Sequence, residues 1–389
     1  MNILQLQLLV VLAMIFIGVR VAAIGVGYLT NHTLGVKIIK MKQKIFYSYI
    51  LLLSFATFLT ACSKDELQVE SPSGKDLTVL FAWESGFSGA GYDDAILKSV
   101  SESQAAHLDM KVHLIRPKSQ AEALALMNNF TTNGTAEKAL ILCGPKYESL
   151  AQELHPGAGR ILLVDSQEEM PNGLSTLQLK RYGGAWLAGA LSKGLKLHII
   201  KAFDGDRMMD TVADGIEDGY RDAGGQESFR IVLSDGYRGT NMPDELFNLL
   251  YMNPTAYFNV DGVCLVPVCG ASRMGAYSFS NNYFVLSLGI GEDCSVFSDI
   301  LPYSLIYDMG EIIKTYINQW IAGQSWPTHK DFGLSTGHVR IQYNDRFFTL
   351  GSKRGFLKDD EAFLTKDEYK ALEAQYLETA KEKEVTHAY

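Results

Sequence analysis

From residue 76 onward, the sequence alternates short apolar runs with stretches of helical spacing. Strand–helix alternation of this length predicts parallel β-sheets that are covered by helices on both faces. We therefore expect an α/β protein in which helical crossovers join consecutive strands. The apolar runs that predict strands are residues 77–83, 111–116, 138–144, 160–165, 196–203, 229–235, 260–270, 283–291 and 338–344.

The strand–helix units are too many for one sheet, and the residue pattern changes near residue 195. Both observations predict two lobes, which also suits the length of the chain. The predicted division is a linker at 62–75, a first lobe at 76–194 and 296–322, a second lobe at 195–295 and 323–350, and a charged helical tail at 351–389 that forms a solvated cap on the fold.

The N-terminal region has the features of a signal peptide. A basic stretch, MKQK at 41–44, precedes an apolar core at 45–59, and LTAC at 59–62 resembles the lipobox of bacterial lipoproteins. In that family the cysteine is acylated and becomes the new N-terminus. We therefore expect residues 41–61 to be a lipoprotein signal peptide and Cys62 to carry a membrane lipid anchor.

The region before the signal peptide contains a second apolar run, which is long enough to span a membrane if it is translated. A span directly ahead of a complete signal peptide has no evident use, so we favour Met41 as the start and residues 1–40 as a misassigned upstream segment. Ser63 is not the aspartate that retains lipoproteins in the inner membrane. SKDE at 63–66 resembles an export tag, although an ordinary charged linker has the same composition. We expect a cell-envelope, outer-membrane lipoprotein that faces the periplasm or the cell surface.

Composition and motifs exclude several classes of function. The net charge is −9 and no basic cluster follows a helix, which argues against nucleic-acid binding. No phosphate-binding loop, nucleophile elbow or metal-spaced histidines are present, so we expect neither an enzyme, nor a metal site, nor a cofactor. Four cysteines follow Cys62; buried free thiols are favoured over a disulfide, which an exported protein permits. They are Cys143, Cys264, Cys269 and Cys294.

Polar or aromatic clusters follow almost every predicted strand. Each cluster alone is typical of a turn, but ligands of open α/β sheets bind beyond the carboxyl ends of the strands, so the clusters together predict one ligand cleft. The clusters lie at residues 83–94, 143–148, 203–210, 269–275 and 289–294. We expect aromatic rings to stack on the ligand and polar groups to form hydrogen bonds with it. The predicted ligand-binding residues are Phe87, Tyr92, Asp93, Lys146, Tyr147, Ser272, Arg273 and Asp293.

Four segments resemble one family in order and spacing. LKRYGGAWLAGALSKG at 179–194 resembles the Glu-Gly-Ala-Tyr-Leu-Ala-Gly helix of the basic membrane lipoprotein family, which comprises substrate-binding proteins of ABC importers and is typified by the purine nucleoside receptor. The segments at 212–224, 268–275 and 331–341 are similar to further family motifs. The resemblance covers residues 76–345. It implies a type I periplasmic-binding-protein fold with two doubly wound, parallel-sheet lobes that close on a ligand about a hinge.

The family's binding residues match only in part. Tyr92 stands for the family's stacking phenylalanine, Asp93 for an asparagine, and Asp293 matches a family aspartate. Gly291 replaces the aspartate that binds ribose hydroxyls in members of the family, and Tyr307 replaces a family lysine. These differences leave the implied fold unchanged and leave the ligand class open.

The sequence therefore predicts a monomeric, lipid-anchored solute-binding protein that captures a small molecule, nucleoside-like or otherwise, between two lobes for an ABC permease. The alternative is a surface lipoprotein of the same fold that has lost its transport ligand and serves as a scaffold or partner of another envelope protein. The altered cleft residues and the SKDE segment favour the alternative.

Overall fold

A computed structural model describes residues 74–83, 91–155, 157–167, 169–170, 174–253, 262–354 and 364–387. The predicted signal peptide, Cys62, most of the predicted linker and Phe87 lie outside these residues. Within the described part, no helix is both long and apolar enough to cross a membrane.

Thirteen strands are present among the described residues. They are β1 Asp76–Phe81, β2 Lys111–Ile115, β3 Lys138–Cys143, β4 Arg160–Val164, β5 Ser175–Leu179, β6 Lys196–Lys201, β7 Ser228–Val232, β8 Val263–Val268, β9 Leu286–Ser287, β10 Gly289–Gly291, β11 Tyr303–Tyr307, β12 His329–Phe332 and β13 Val339–Tyr343. Central strands such as β3 and β8 are buried along nearly their whole length, as continuous apolar runs in parallel sheets should be.

Ten α-helices connect or cover these strands in the same described part of the chain. They are α1 Tyr92–Ala106, α2 Gln120–Asn133, α3 Glu148–Gln152, α4 Tyr182–Leu191, α5 Arg207–Asp222, α6 Pro243–Tyr251, α7 Arg273–Tyr283, α8 Met309–Ile321, α9 Asp345–Arg354 and α10 Lys366–Thr386. Local signals set several of the boundaries. Asp206 caps α5 by accepting hydrogen bonds from two backbone N–H groups, and Thr365 with Glu368 forms a capping box at the start of α10.

The first lobe is built on a six-stranded parallel sheet in the order β12-β5-β4-β3-β1-β2. Chain order reverses between β1 and β3, because β2 pairs with one side of β1 and β3 with the other. A reversal of this kind opens a crevice at the carboxyl ends of the two strands. Helices α1 and α8 pack on each other in this lobe.

The second lobe repeats the arrangement in a four-stranded parallel sheet, β7-β6-β8-β9, with its reversal between β6 and β8. The same lobe contains a three-stranded sheet, β10-β11-β13, in which β13 is antiparallel to β11. Leu288 lies between β9 and β10 and still donates its N–H to Leu265 of β8, so the two sheets adjoin. The predicted α/β fold with two doubly wound lobes is confirmed.

Three connections join the lobes. The first, residues 180–195, contains α4 between β5 and β6; the second joins β11 to α8 at Asp308; the third, residues 333–338, joins β12 to β13. The last two are adjacent, because the backbone N–H of Asp308 donates to the carbonyl oxygen of His338 at 2.9 Å. Strand β12 pairs with β5 in the first sheet, although residues 323–350 were assigned to the second lobe.

Helices α4 and α5 approach each other so closely that their contact requires glycine. A Cβ added at Gly189 would overlap the carbonyl oxygen of Ile216, and one added at Gly219 would overlap that of Trp186. All ten residues of α4 are buried. The small-residue pattern of this helix therefore serves to bring the first connection against the second lobe.

The tail predicted as a solvated cap is helical in α10, but the helix packs against the fold. Tyr369, Ala380 and Glu384 are buried. Tyr369 contacts Tyr303 edge to face at 5.5 Å between ring centroids, and Lys383 Nζ lies 3.0 Å from Asp222 Oδ2. The predicted cap is therefore a packed element whose inner face belongs to the core.

Substitution of Gly219 by alanine should destabilise the fold, because the new methyl group meets backbone atoms that cannot rotate away. We expect a loss of about 2 kcal/mol or more in the free energy of unfolding, measured by urea denaturation. Gly236→Ala is the matched control: a Cβ there meets nothing within 4 Å, so its effect should stay within about 0.5 kcal/mol. Equal losses in the two variants would contradict the close-packing account.

Candidate functional site

A cavity of about 1170 Å³ lies beyond the carboxyl ends of strands from both lobes. Its walls come from the segments after β1, β3, β5, β6, β7, β8, β10 and β11. All five polar clusters that the sequence placed at strand ends contribute to it. The double reversal of strand order therefore produces one shared space at the position where ligands of doubly wound sheets bind.

Four of the predicted binding residues line this cavity, namely Tyr92, Asp93, Lys146 and Arg273. Asp93 is nearly buried and its carboxylate accepts a hydrogen bond from Arg116 at 3.0 Å. The side chain that was expected to accept hydrogen bonds from a ligand is thus already engaged by a neighbour in the first lobe.

Three predicted binding residues lie elsewhere. Tyr147 is fully buried, packs in the core of the first lobe and donates its hydroxyl proton to the carbonyl oxygen of Phe81 at 2.8 Å. Ser272 is also fully buried and its Oγ donates to the carbonyl oxygen of Gly239 at 2.7 Å. Asp293 is exposed and accepts a hydrogen bond from the backbone N–H of Ser295. None of these three residues lines the cavity, and each side chain stabilises a local turn or the core.

A buried ion pair forms part of the cavity wall and was not predicted. Arg181 and Asp165 are 5% and 0% exposed and form two hydrogen bonds, Nη1 to Oδ1 at 2.8 Å and Nη2 to Oδ2 at 2.9 Å. Burial disfavours the guanidinium charge, but the Asp165 carboxylate more than offsets this and raises the pKa of Arg181 above its ordinary value. Two parallel hydrogen bonds fix the plane of the guanidinium.

Two tyrosine rings flank the guanidinium of Arg181. Its Cζ lies 5.9 Å from the ring centroid of Tyr92 and 5.8 Å from that of Tyr307, and both tyrosines line the cavity. Burial raises the pKa of Tyr307, so its hydroxyl is protonated at neutral pH. That hydroxyl oxygen is buried and has no hydrogen-bond partner within the described part of the protein. Tyr307 therefore places an unpartnered hydroxyl within the cavity wall.

Arg273 supplies a second unused donor. Its Nη atoms donate to the carbonyl oxygen of Ile290 and to the carboxylate of Glu292, and the side chain is 5% exposed. Its Nε is buried and has no hydrogen-bond partner among the described residues. Buried donors are normally satisfied, so an unmet donor in a cavity wall marks a position that an ordered water or a bound molecule can complete.

Contacts across the cavity connect the two lobes. Arg207 of α5 places Nη2 3.2 Å from Oε1 of Glu148 in α3, and Lys146 Nζ lies 4.6 Å from the ring centroid of Tyr237. Burial lowers the pKa of Lys146, and Asp206 opposes this shift. Charged groups from opposite walls thus hold the lobes together beside the cavity.

Several lining residues were missed for identifiable reasons. Arg181 follows β5, which was not predicted because its buried positions include Thr176 and Gln178 rather than an apolar run. Tyr307 ends β11, a strand that was also not predicted. Asp206 and Arg207 lie in the predicted cluster 203–210 but were not chosen. The strand-end rule would have found Arg181 and Tyr307 if their strands had been recognised.

The described cysteines are all buried free thiols, as the sequence favoured. Cys143 and Cys269 line the cavity, one from each lobe, and burial raises the pKa of Cys269 to about 12. Both thiols are therefore protonated and weakly nucleophilic at neutral pH. The described residues contain no group of three or more histidine, cysteine, aspartate or glutamate side chains that could hold a metal ion.

Comparison with known proteins gives structural neighbours only. No protein-family model matches the chain, and no curated protein matches it. A solute-binding protein of an ABC transporter system from Aeropyrum pernix is similar, with a TM-score of 0.56 and 13% identity over 79% of this chain and 90% of that chain. A sugar ABC transporter protein from Yersinia enterocolitica has a TM-score of 0.53 and 14% identity over 78% of this chain and 96% of that one. The chain has the type I periplasmic-binding-protein fold.

The same fold occurs in proteins with other roles. A structure described as a transcriptional activator of the comK gene from Bacillus halodurans has a TM-score of 0.55 and 13% identity, over 79% of this chain and 97% of that chain. At these identities the likeness establishes the periplasmic-binding-protein fold and no ligand. The ligand of this chain depends on the residues of its own cavity.

Asp165→Asn should strongly destabilise the protein, because it removes the counter-charge of buried Arg181. Asparagine keeps the shape of the side chain and tolerates the left-handed backbone of this position, where φ is 61°. We expect a loss of about 3–5 kcal/mol in the free energy of unfolding, measured by urea denaturation at neutral pH. Glu102→Gln removes one partner of an exposed pair with Lys314 and should cost at most about 1 kcal/mol. A loss in Asp165→Asn no larger than in this control would contradict the proposed importance of the buried pair.

Proposed function

We propose that the chain is a lipid-anchored solute-binding protein that captures a small, uncharged, oxygen-rich molecule, such as a sugar or a nucleoside, and presents it to an ABC importer. The observation that carries the proposal is the cavity of about 1170 Å³, whose walls come from strand ends of both lobes. Its volume lies slightly above the range of common small-molecule sites, about 300–1,000 Å³, and leaves room for a ligand and water.

The pairing of charges supports an uncharged ligand. The lining side chains Arg181, Arg207 and Arg273 have carboxylate partners in Asp165, Glu148 and Glu292. A ligand with a net charge would have to compete with these partners and lose its hydration, which is costly away from water. A neutral molecule needs only hydrogen bonds and ring contacts, and the cavity wall contains polar groups and aromatic rings that can supply both.

Unpartnered groups in the cavity wall, among them Arg273 Nε and the Tyr307 hydroxyl, support an oxygen-rich ligand. Arg273 Nε can only donate a hydrogen bond, and the Tyr307 hydroxyl can donate or accept one. Hydroxyl, ether or carbonyl oxygens meet both requirements. The partly buried rings of Tyr92 and Tyr307 offer apolar faces, which suit the flat or weakly polar faces of sugars and nucleobases.

The structural neighbours agree with this class of ligand. The Yersinia enterocolitica protein is described as belonging to a sugar ABC transporter, and the Aeropyrum pernix protein as solute-binding. The family resemblance of the sequence adds nucleosides to the compounds to be tested, and an importer permease is the partner that both comparisons suggest. Anchoring is proposed from the LTAC segment at 59–62, through acylation of Cys62.

Ligand screening by thermal unfolding tests the proposal. A neutral sugar or nucleoside at about 100 times its dissociation constant should add about 2.7 kcal/mol to the free energy of unfolding and raise the Tm by several degrees. Sugar phosphates and carboxylates of similar size serve as charged controls and should give smaller shifts. If no compound moves the Tm at millimolar concentration, solute binding fails and the scaffold alternative is favoured.

Tyr307→Phe should weaken ligand binding without reducing stability. The hydroxyl has no protein partner to lose, but its hydrogen bond to the ligand is worth about 0.5–1.5 kcal/mol, so the dissociation constant should rise about 3–10-fold. Isothermal titration calorimetry with the best compound measures this change.

Tyr316→Phe is the matched control for that experiment. Its hydroxyl is also buried without a partner in the described residues, but Tyr316 lies in the core and not at the cavity. The control should bind with wild-type affinity. Equal affinity in wild type and Tyr307→Phe would remove Tyr307 from the proposed site.

A further inference from the structure

Helix α10 lies against two of the three connections between the lobes. It packs along α4, which forms most of the first connection, and its C-terminal turn reaches the third connection at residues 333–338. Tyr182 of α4 stacks on His387, just beyond the helix, with ring centroids 3.8 Å apart. A rotation of one lobe against the other would therefore change the contacts of this helix.

Glu384 makes the contact with the third connection. Its carboxylate is buried, with 4% exposure of the residue, and accepts hydrogen bonds from the backbone N–H groups of Leu334 and Ser335, the first at 2.7 Å. Hydrogen bonds between a carboxylate and backbone N–H groups are stronger than neutral ones. Glu384 thus fixes the course of the chain between β12 and β13.

Two glycines make room for this contact. A Cβ added at Gly333 would overlap the Glu384 carboxylate, and a Cβ added at Gly183 would come within 2.5 Å of the carbonyl oxygen of Ala380. Gly333 belongs to the third connection and Gly183 to α4 in the first. The sequence therefore keeps both connections free of side chains where the C-terminal helix meets them.

The same helix is also tied to the second lobe. Lys383 Nζ lies 3.0 Å from Asp222 Oδ2 at the end of α5, and Tyr343 of β13 donates its hydroxyl proton to Glu373 at 2.7 Å. These bonds hold α10 to one lobe while Glu384 holds the connection that leads from the other.

We propose that α10 is a brace across the lobe connections and that Glu384 is its positioning residue, which sets the angle between the lobes and through it the affinity for ligand. The affinity part rests on the proposed solute-binding function; the effect on the lobe angle does not. Since Glu384 does not line the cavity, its effect on binding must pass through the third connection.

Glu384→Gln is a sharp test, because the shape is kept while one acceptor oxygen becomes an NH₂ group that faces a backbone donor. The distance between the lobes is measured by single-molecule energy transfer between dyes on Gln104→Cys in α1 and Ser278→Cys in α7, both exposed, in full-length protein carrying Cys62→Ser. The native cysteines of the described part are buried and should not label. Gly333→Ala is a second variant that displaces the same carboxylate.

Without ligand, Glu384→Gln and Gly333→Ala should both shift or broaden the distance distribution relative to the parent protein. Glu382→Gln removes the same charge from an exposed position of the same helix and should leave the distribution unchanged. With the best compound of the thermal screen, Glu384→Gln should raise the dissociation constant about 5-fold or more, the lower end of typical coupling between distant sites.

Unchanged distances in both variants, even with a lower free energy of unfolding, would overturn the proposal and make Glu384 a purely structural residue. Because the distances are measured without ligand, that result is distinguishable from a failure of the proposed function, in which no compound binds the parent protein. Changed distances with unchanged affinity would overturn the link between the brace and binding.

Discussion

The buried ion pair between Arg181 and Asp165 is the interaction on which the site depends. It joins the ends of β4 and β5 at the point where the chain leaves the first lobe for the second. The guanidinium, held in one plane, gives Tyr92 and Tyr307 a fixed surface to pack on. A buried pair contributes little net stability, but the loss of one partner is costly, so the pair enforces this one arrangement of the cavity wall.

The cavity follows from topology rather than from any single motif. Each lobe reverses its strand order once, between β1 and β3 and between β6 and β8. The two crevices face the same space, and the contacts of Arg207 with Glu148 and of Lys146 with Tyr237 connect their walls. The three arginines of the wall, Arg181, Arg207 and Arg273, are each paired with a carboxylate of the protein. The wall also contains aromatic rings and unpartnered polar groups, which support the proposed binding of an uncharged polar compound.

The fold and the position of the cavity could be predicted from the sequence because both depend on patterns that extend over many residues. Apolar runs separated by helical stretches are visible along the chain, and the residues after them reach one cavity. Strands β5, β11 and β12 were not predicted. Polar residues such as Gln178 and Asp331 interrupt the apolar pattern of β5 and β12, and Arg181 was missed because it follows β5. The side-chain directions of Tyr147, Ser272 and Asp293 could not be predicted either, because the direction of a side chain in a short turn depends on tertiary packing. For Tyr147 a 3₁₀ turn directs the ring into the core.

The most direct test of the account is a crystal structure of the protein grown with the compound that gives the largest thermal stabilisation. We expect electron density for that compound between the lobes, with ligand oxygens within hydrogen-bond distance of Tyr307 Oη and Arg273 Nε. Density for the compound at another surface, or a gap between the lobes filled by the protein's own side chains, would contradict it.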